Sequence, residues 1–250
     1  MKNENTKKMF LSILALKITL VALLLPLNAC AKMEDLAGVI TMTTKASEVS
    51  FTVAGAKDIN IDWGDGKKSN ANDAERTVSG GFLFSRDYSG TIERNITIFG
   101  NVTSLDCAGM ELTALDVSKN TALEWLSCGH NLFTTVDVSK NTALTHLNFG
   151  YGSQITTLDV SKNTALKSLY IIDAQLKSLD VSTNTELREL NVRNNQLTTD
   201  ALNDLFKTLT DKPVGPNDSR AITTVNNPGT PYCDHSIAEK KGWIIINPNR

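Results

Sequence analysis

Between residues 115 and 187 the chain repeats itself. The phrase Leu115-Asp116-Val117-Ser118-Lys119-Asn120-Thr121-Ala122-Leu123 returns at 136–144, 158–166 and 179–187. The repeated aspartates are Asp116, Asp137, Asp159 and Asp180, so the period is 21, 22 and 21 residues. Between these blocks runs a second pattern, Leu-x-x-Leu-x-apolar. It reads Leu123-Leu126-Cys128, Leu144-Leu147-Phe149, Leu166-Leu169-Ile171 and Leu187-Leu190-Val192, with a partial first copy in Val102-Leu105-Cys107. One coil of this length cannot bury its own leucines, whereas stacked coils bury them against one another. Each Leu-x-x-Leu-x-apolar segment is therefore expected to be one strand of a parallel sheet, with neighbours about 4.8 Å apart. The rest of so short a coil leaves no room for a full helix, so its back is expected to be turns and extended chain.

This pattern resembles leucine-rich repeats, over about 100 residues, and implies a short solenoid of about four and a half coils. Cys107 and Cys128 lie one coil apart at the same inward position, which predicts stacked, buried thiols. Asn120, Asn141, Asn163 and Asn184 form a column whose amides are expected to satisfy backbone groups in the turns. The aspartate column would repel itself across about 5 Å, so each carboxylate is expected to accept nearby N–H groups, a bound cation being the alternative.

The coils can also be compared with one another. The Asp-Val-Ser-Lys-Asn-Thr-Ala side is nearly constant, whereas the outward positions of the strand side vary. They carry Trp125, Ser127 and His130, then His146, Asn148 and Tyr151, then Lys167, Ser168, Tyr170 and Asp173, then Arg188, Glu189, Asn191 and Arg193. Strand alternation sends these side chains away from the leucines. Large aromatics, amides and arginines on one face match the composition of interaction hot spots, and aromatics beside amides equally suit a sugar. The candidate ligand-binding residues are Trp125, His146, Asn148, Tyr151, Tyr170, Arg188 and Arg193; the alternative is a solvated face that drifts.

The flanks differ in kind. Residues 1–30 hold four lysines against one glutamate, and an apolar stretch from Met9 to Ala29 is broken by Lys17. This is the layout of a secretory leader. It ends Leu27-Asn28-Ala29-Cys30, which resembles the lipobox of bacterial lipoproteins. The resemblance implies cleavage before Cys30 and acylation of its thiol and amino group, enough chains for durable membrane anchoring. A plain secretory signal and a retained membrane span are the alternatives. Lys32-Met33-Glu34-Asp35 resembles the surface-export signal of Bacteroidetes-type lipoproteins, which implies the outer face of the outer membrane.

After the leader, 39–44, 48–53, 60–63 and 91–99 alternate apolar and polar residues as half-buried strands do. Asp62-Trp63-Gly64-Asp65-Gly66 predicts a tight turn. Together with Tyr88 and the closing Ile-Thr-Ile-Phe-Gly, it resembles small PKD-like modules that precede repeats in surface proteins. Asp58, Asp62 and Asp65 could supply some oxygens to Ca²⁺, though aspartate is also the ordinary turn residue. Beyond the repeats, Leu202, Leu205, Phe206 and Leu209 fall at helical spacing after Thr199-Asp200. A strand at 221–225, a turn at Asn227-Pro228-Gly229, a short helix from Asp234 to Lys241 and a strand at 243–247 follow.

The expected architecture is mainly β with short α. It comprises a signal peptide (1–29), a lipidated linker (30–35), a PKD-like β-sandwich (36–100), leucine-rich repeats (101–198) and a C-terminal helical capping region (199–250). Beyond residue 30 the chain holds 21 basic and 26 acidic groups, which gives no broad attraction to nucleic acid. No nucleophile, metalloprotease or nucleotide-binding motif is present, and Cys107, Cys128, Cys233 and the three histidines have no metal-ligand or triad spacing. These features lead to a non-enzymatic, lipid-anchored surface protein without cofactor that recognises a protein or glycan. A structural component of the cell envelope is the alternative.

Overall fold

The computed structural model describes residues 38–55, 58–211 and 219–246; Cys30, the leader and the 30–35 linker lie outside the described residues. Alternation at the start of this region forms β1 (Val39–Thr44) and β2 (Glu48–Gly55), in which every second side chain is buried up to Val53. β3 (Asn60–Asp62) leads into the Asp-Gly turn, and β7 (Arg94–Phe99) falls inside the expected 91–99 run. Three strands lie beyond the sequence expectation: β4 (Lys68–Asn70), β5 (Glu75–Arg76) and β6 (Phe82–Asp87). β4 and β5 are two or three polar residues long and exist because β3 and β6 offer them a partner. Phe51, Trp63 and Phe84 meet between the layers, with ring centroids 5.6 and 5.8 Å from Phe51.

The first coil joins this sandwich to the solenoid. Its two sides are β8 (Val102–Asp106) and β9 (Leu112–Asp116). β8 pairs antiparallel with β2, and β9 pairs antiparallel with β1. Each sheet of the sandwich therefore runs on into one side of the solenoid. The smaller sheet has the order β4-β3-β7-β1-β9, and the larger begins β5-β6-β2-β8 and continues through the strands of the later coils. One continuous apolar core, from Ile40 to Trp243, fills the space between.

From β8 onward the front sheet is parallel. β10 (Trp125–Ser127), β11 (His146–Asn148), β12 (Ser168–Tyr170) and β13 (Glu189–Asn191) set Leu105, Leu126, Leu147, Leu169 and Leu190 abreast. All five leucines are at most 2% exposed, and burying each stabilises the stack by about 1.5–3 kcal/mol. Cys107 and Cys128 are free and fully buried, as their shared position predicts.

The region expected to close the solenoid lengthens it. β14 (Arg220–Thr223) and β15 (Trp243–Ile246) add to the same parallel sheet. Seven parallel strands result among the described residues, more than the repeated phrase alone indicates. Helix α1 (Thr199–Thr208) lies between β13 and β14, and α2 (Ser236–Glu239) lies between β14 and β15. Thr198 caps α1 by accepting from the Ala201 N–H, and Leu202, Leu205 and Phe206 turn inward. Helices thus replace the extended back of the earlier coils. The chain is mainly β, a solenoid of about 22-residue coils. Among the described residues no helix is long and apolar enough to cross a membrane.

Two asparagine ladders secure the turns. The expected one is present: Asn141, Asn163 and Asn184 each donate from Nδ2 to two carbonyls of the preceding coil, at 2.7–3.0 Å. The second, at the strand exits, comprises Asn131, Asn195 and Asn227. Asn131 accepts from the N–H groups of Met110 (3.1 Å) and Leu112 (2.9 Å) and donates to the carbonyls of Cys107 and Cys128, both at 3.0 Å. Asn195 and Asn227 repeat this with Leu176 and Leu197. Ser153 and Ala174 interrupt the column, and the extra residue of the 22-residue coil shifts its spacing.

Candidate functional site

The front of the sheet presents side chains in rows, because the parallel register sets equivalent residues side by side. One row runs Ser104, Trp125, His146, Ser168, Glu189, Ala221. A second runs Asp106, Ser127, Asn148, Tyr170, Asn191, Thr223, and the sandwich extends it through Thr52, the partner of Asp106. Ser127 and Ser168, expected to face solvent, are only 6% and 7% exposed, because small side chains between larger ones sink beneath them.

A third row borders the strand exits. Gly109, His130, Tyr151, Asp173, Asn194 and Asn226 all have positive φ, between +53° and +61° for the non-glycine members and +72° at Gly109. The turn demands a left-handed residue there, and glycine meets that demand without strain at the first coil. His130 and Tyr151 meet it against their own steric preference. Tyr151 is nonetheless 59% exposed. Its hydroxyl accepts from Nη2 of Arg193 at 3.2 Å, and the guanidinium lies 5.8 Å from its ring centroid. Asn194 donates to Asp173 at 2.5 Å and Asn226 donates to Asn194 at 2.7 Å, so this row is braced from coil to coil.

Two grooves on the face are lined by described residues. One, of about 450 Å³, is lined by Trp125, Ser104, Asp106, Thr52, Thr77 and Ser79. The other, of about 520 Å³, is lined by Asn191, Arg193, Asn194, Thr223, Val225, Asn226 and Ile246. A depression of about 270 Å³ adjoins it, lined in part by Tyr170 and Glu189. The structure therefore places Arg193 in the second groove with Tyr151 against it, Tyr170 in the adjoining depression, and Trp125 at the first groove. His146 and Asn148 lie on β11, between them. Arg188 stands one residue before β13, beside Lys167 in the row whose backbone continues from Thr145, at the opposite end of the strand from Arg193. Thr52, Thr77 and Ser79 were beyond the reach of coil-to-coil comparison, because the groove forms where the sandwich meets the repeats; Asp106, in the partial first coil, could have been found as the counterpart of Ser127. Asn194 and Asn226 could have been found by their place just before the second asparagine ladder.

The row also brings His146, Ser168 and Glu189 together, in that order. A hydrolytic triad needs the imidazole between hydroxyl and carboxylate; here the hydroxyl is in the middle. His146 Nδ1 pairs with Thr145 Oγ1 at 2.9 Å, and Glu189 accepts from the Tyr170 and Ser168 hydroxyls. Burial, and then the bond to Glu189, push the Tyr170 phenol up to about 12, so it stays a donor.

The remaining acidic groups have local partners. Asp116, Asp137, Asp159 and Asp180 each accept from the N–H two residues on, at 2.8–2.9 Å. That bond holds the carboxyls of Asp137, Asp159 and Asp180 below the ordinary value. Asp62 and Asp65 accept from Gly64 and Lys67 within their turn, and Asp65 also pairs with Arg86. Among the described residues no group of three or more His, Cys, Asp or Glu is placed to hold a metal ion.

No protein-family model and no curated protein matches the chain. Three solved structures are similar to parts of it. A leucine-rich-repeat protein of Leptospira interrogans is 20% identical over 52% of this chain and 38% of its own, with a TM-score of 0.38. An internalin of Listeria monocytogenes is 20% identical over 50% and 42%, with a TM-score of 0.35. The functional domain of InlJ from Listeria monocytogenes, which includes a cysteine ladder, is 24% identical over 56% and 47%, with a TM-score of 0.25. The chain matches less than half the length of each.

Proposed function

We propose that the protein is a non-enzymatic recognition module, held on the cell surface by lipid at Cys30, that binds a protein or glycan through the front face of its solenoid. Tyr151 carries this reading. A left-handed turn that glycine forms freely at Gly109 is occupied two coils later by a large aromatic, exposed and braced by Arg193. Such strain of about 1–2 kcal/mol persists where the side chain has a task. A rigid aromatic beside an arginine and several amides is the composition of a binding hot spot.

Capture of partners on the purified protein, by glycan array and by pull-down from extracellular material, tests the reading. Alanine at Tyr151, Tyr170 or Arg193 is expected to weaken any captured partner by about tenfold or more. Retention of every partner by the triple variant would refute it. The surface address has its own test. Protease added to intact cells is expected to cleave the protein, and protection until the outer membrane is breached would place it inside.

A further inference from the structure

We infer that the groove where the sandwich meets the solenoid is a saccharide subsite, taking a neutral pyranose unit with its C–H face on Trp125 and a hydroxyl pair on Asp106. This rests on the recognition reading above and adds to it a site and a ligand class. Six residues line the groove: Thr52, Thr77, Ser79, Ser104, Asp106 and Trp125. They supply four hydroxyls, one carboxylate and one indole, with no cation and no aliphatic side chain. Such a lining suits neither an anion nor an apolar molecule. A polyol matches it, because each sugar hydroxyl both donates and accepts, and the ring's C–H face suits an aromatic surface.

Four of the six groups have capacity to spare, and the Thr77 and Ser79 hydroxyls, paired with each other, border them. Asp106 Oδ1 accepts from the Ala108 N–H at 3.2 Å, while Oδ2 has no partner among the described residues. The Trp125 indole N–H and the Thr52 and Ser104 hydroxyls likewise make no hydrogen bond among the described residues. Trp125 is half-buried, in register with Ser104 on one side and His146 on the other, and the groove opens on the side of the smaller neighbour. The site is also rigid. Thr52 on β2 and Asp106 on β8 are paired partners in one sheet. Thr77 and Ser79 belong to the turn joining β5 to β6, fixed by the Gly81 N–H donating to Thr77 at 2.9 Å and by the contact between their hydroxyls at 2.9 Å. Little ordering entropy remains to be lost on binding. A lysine or arginine side chain of a protein partner would engage Asp106 and Trp125 but leave the hydroxyls idle, so the saccharide is favoured.

The chain has three tryptophans, and Trp63 and Trp243 are 1% and 2% exposed, so collisional quenching by acrylamide reports on Trp125. The probes are cellotetraose, mannotetraose, xylotetraose, tetragalacturonate and trilysine, added to the full protein. At least one neutral tetrasaccharide is expected to protect Trp125 saturably, while tetragalacturonate and trilysine do not. By calorimetry, Trp125→Ala and the near-isosteric Asp106→Asn are each expected to weaken that saccharide by about tenfold or more. The inference is overturned if no neutral tetrasaccharide protects Trp125, if Asp106→Asn binds as tightly as the wild type, or if trilysine protects instead. A partner that still depends on Tyr151 and Tyr170 would then leave the recognition reading standing while the subsite falls.

Discussion

Replacing Asn131 by alanine is expected to destabilise the protein more than replacing Asn141, although both are buried amides in stacked coils. Both substitutions remove the same atoms and leave similar voids, so the difference lies in what each amide leaves unpaired. Asn131 is the acceptor for the N–H groups of Met110 and Leu112. Without it two buried donors lose that acceptor, at about 1–3 kcal/mol each when unsatisfied. Asn141 only donates, to the carbonyls of Val117 and Asn120. Those carbonyls keep a second donor, the N–H of Asn120 at 3.0 Å and of Leu123 at 3.3 Å. Asn141→Ala also deletes an Oδ1 that is itself buried without a partner. We therefore expect about 3 kcal/mol for Asn131→Ala and about 1 kcal/mol for Asn141→Ala, read as shifts of the urea midpoint at constant slope. Hydrogen exchange adds a local readout, since the Met110 and Leu112 amides are expected to lose protection in Asn131→Ala alone. Equal midpoint shifts for the two variants would refute the reasoning.

Other expectations follow from single contacts. A Cβ at Gly129 would stand 1.8 Å from the carbonyl oxygen of Gly150, so Gly129→Ala is expected to force two coils apart and cost about 3 kcal/mol or more; a melting temperature equal to wild type would contradict this. Tyr151→Gly is expected to hold or raise the melting temperature, by relieving about 1 kcal/mol of left-handed strain, while weakening partner binding. Loss of both together would show that Tyr151 serves folding. Burial pushes the Cys107 and Cys128 thiols well up, so both are expected to resist a thiol reagent until the chain unfolds, whereas half-buried Cys233 reacts earlier. Tyr88 and Tyr170 are both pushed up to about 12, chiefly by burial, from an ordinary value of 10.0. The folded state holds these protons more tightly than the unfolded one, so their contribution is full below pH 10.0 and disappears as pH rises through about 12. Ultraviolet titration checks this, and Glu189→Gln is expected to bring Tyr170 down.

The solenoid was legible because its period and its leucines report directly on stacking. Buried columns such as Cys107 and Cys128 follow from the period alone. The strands β4 and β5 were not legible, because their residues are polar and gain strand structure only from partners fixed elsewhere in the sandwich. β14 and β15 were visible as strands but not as members of the same sheet. The repeated phrase stops at residue 187, while Ile222 and then Ile245 continue the leucine row of the sheet. The second asparagine ladder was hidden by Ser153 and Ala174. As for the site, comparison between coils marked Tyr151, Tyr170 and Arg193 without revealing that Arg193 braces Tyr151 from two coils away. Nor could it reach Thr52 or Thr77, which belong to no coil.

The shared sheet turns the repeat count into a ruler. Trp125 and the Asn191 groove stand on β10 and β13, three strand spacings or about 14 Å apart. Because the sandwich is welded to the first coil through both of its sheets, it cannot swing to adjust that distance. Duplication or loss of one coil would instead move the two grooves apart or together by a fixed step of about 4.8 Å and leave each one chemically unchanged. A partner that grips both would be selected by its length, and descendants of this gene could change that length without altering a single contact residue.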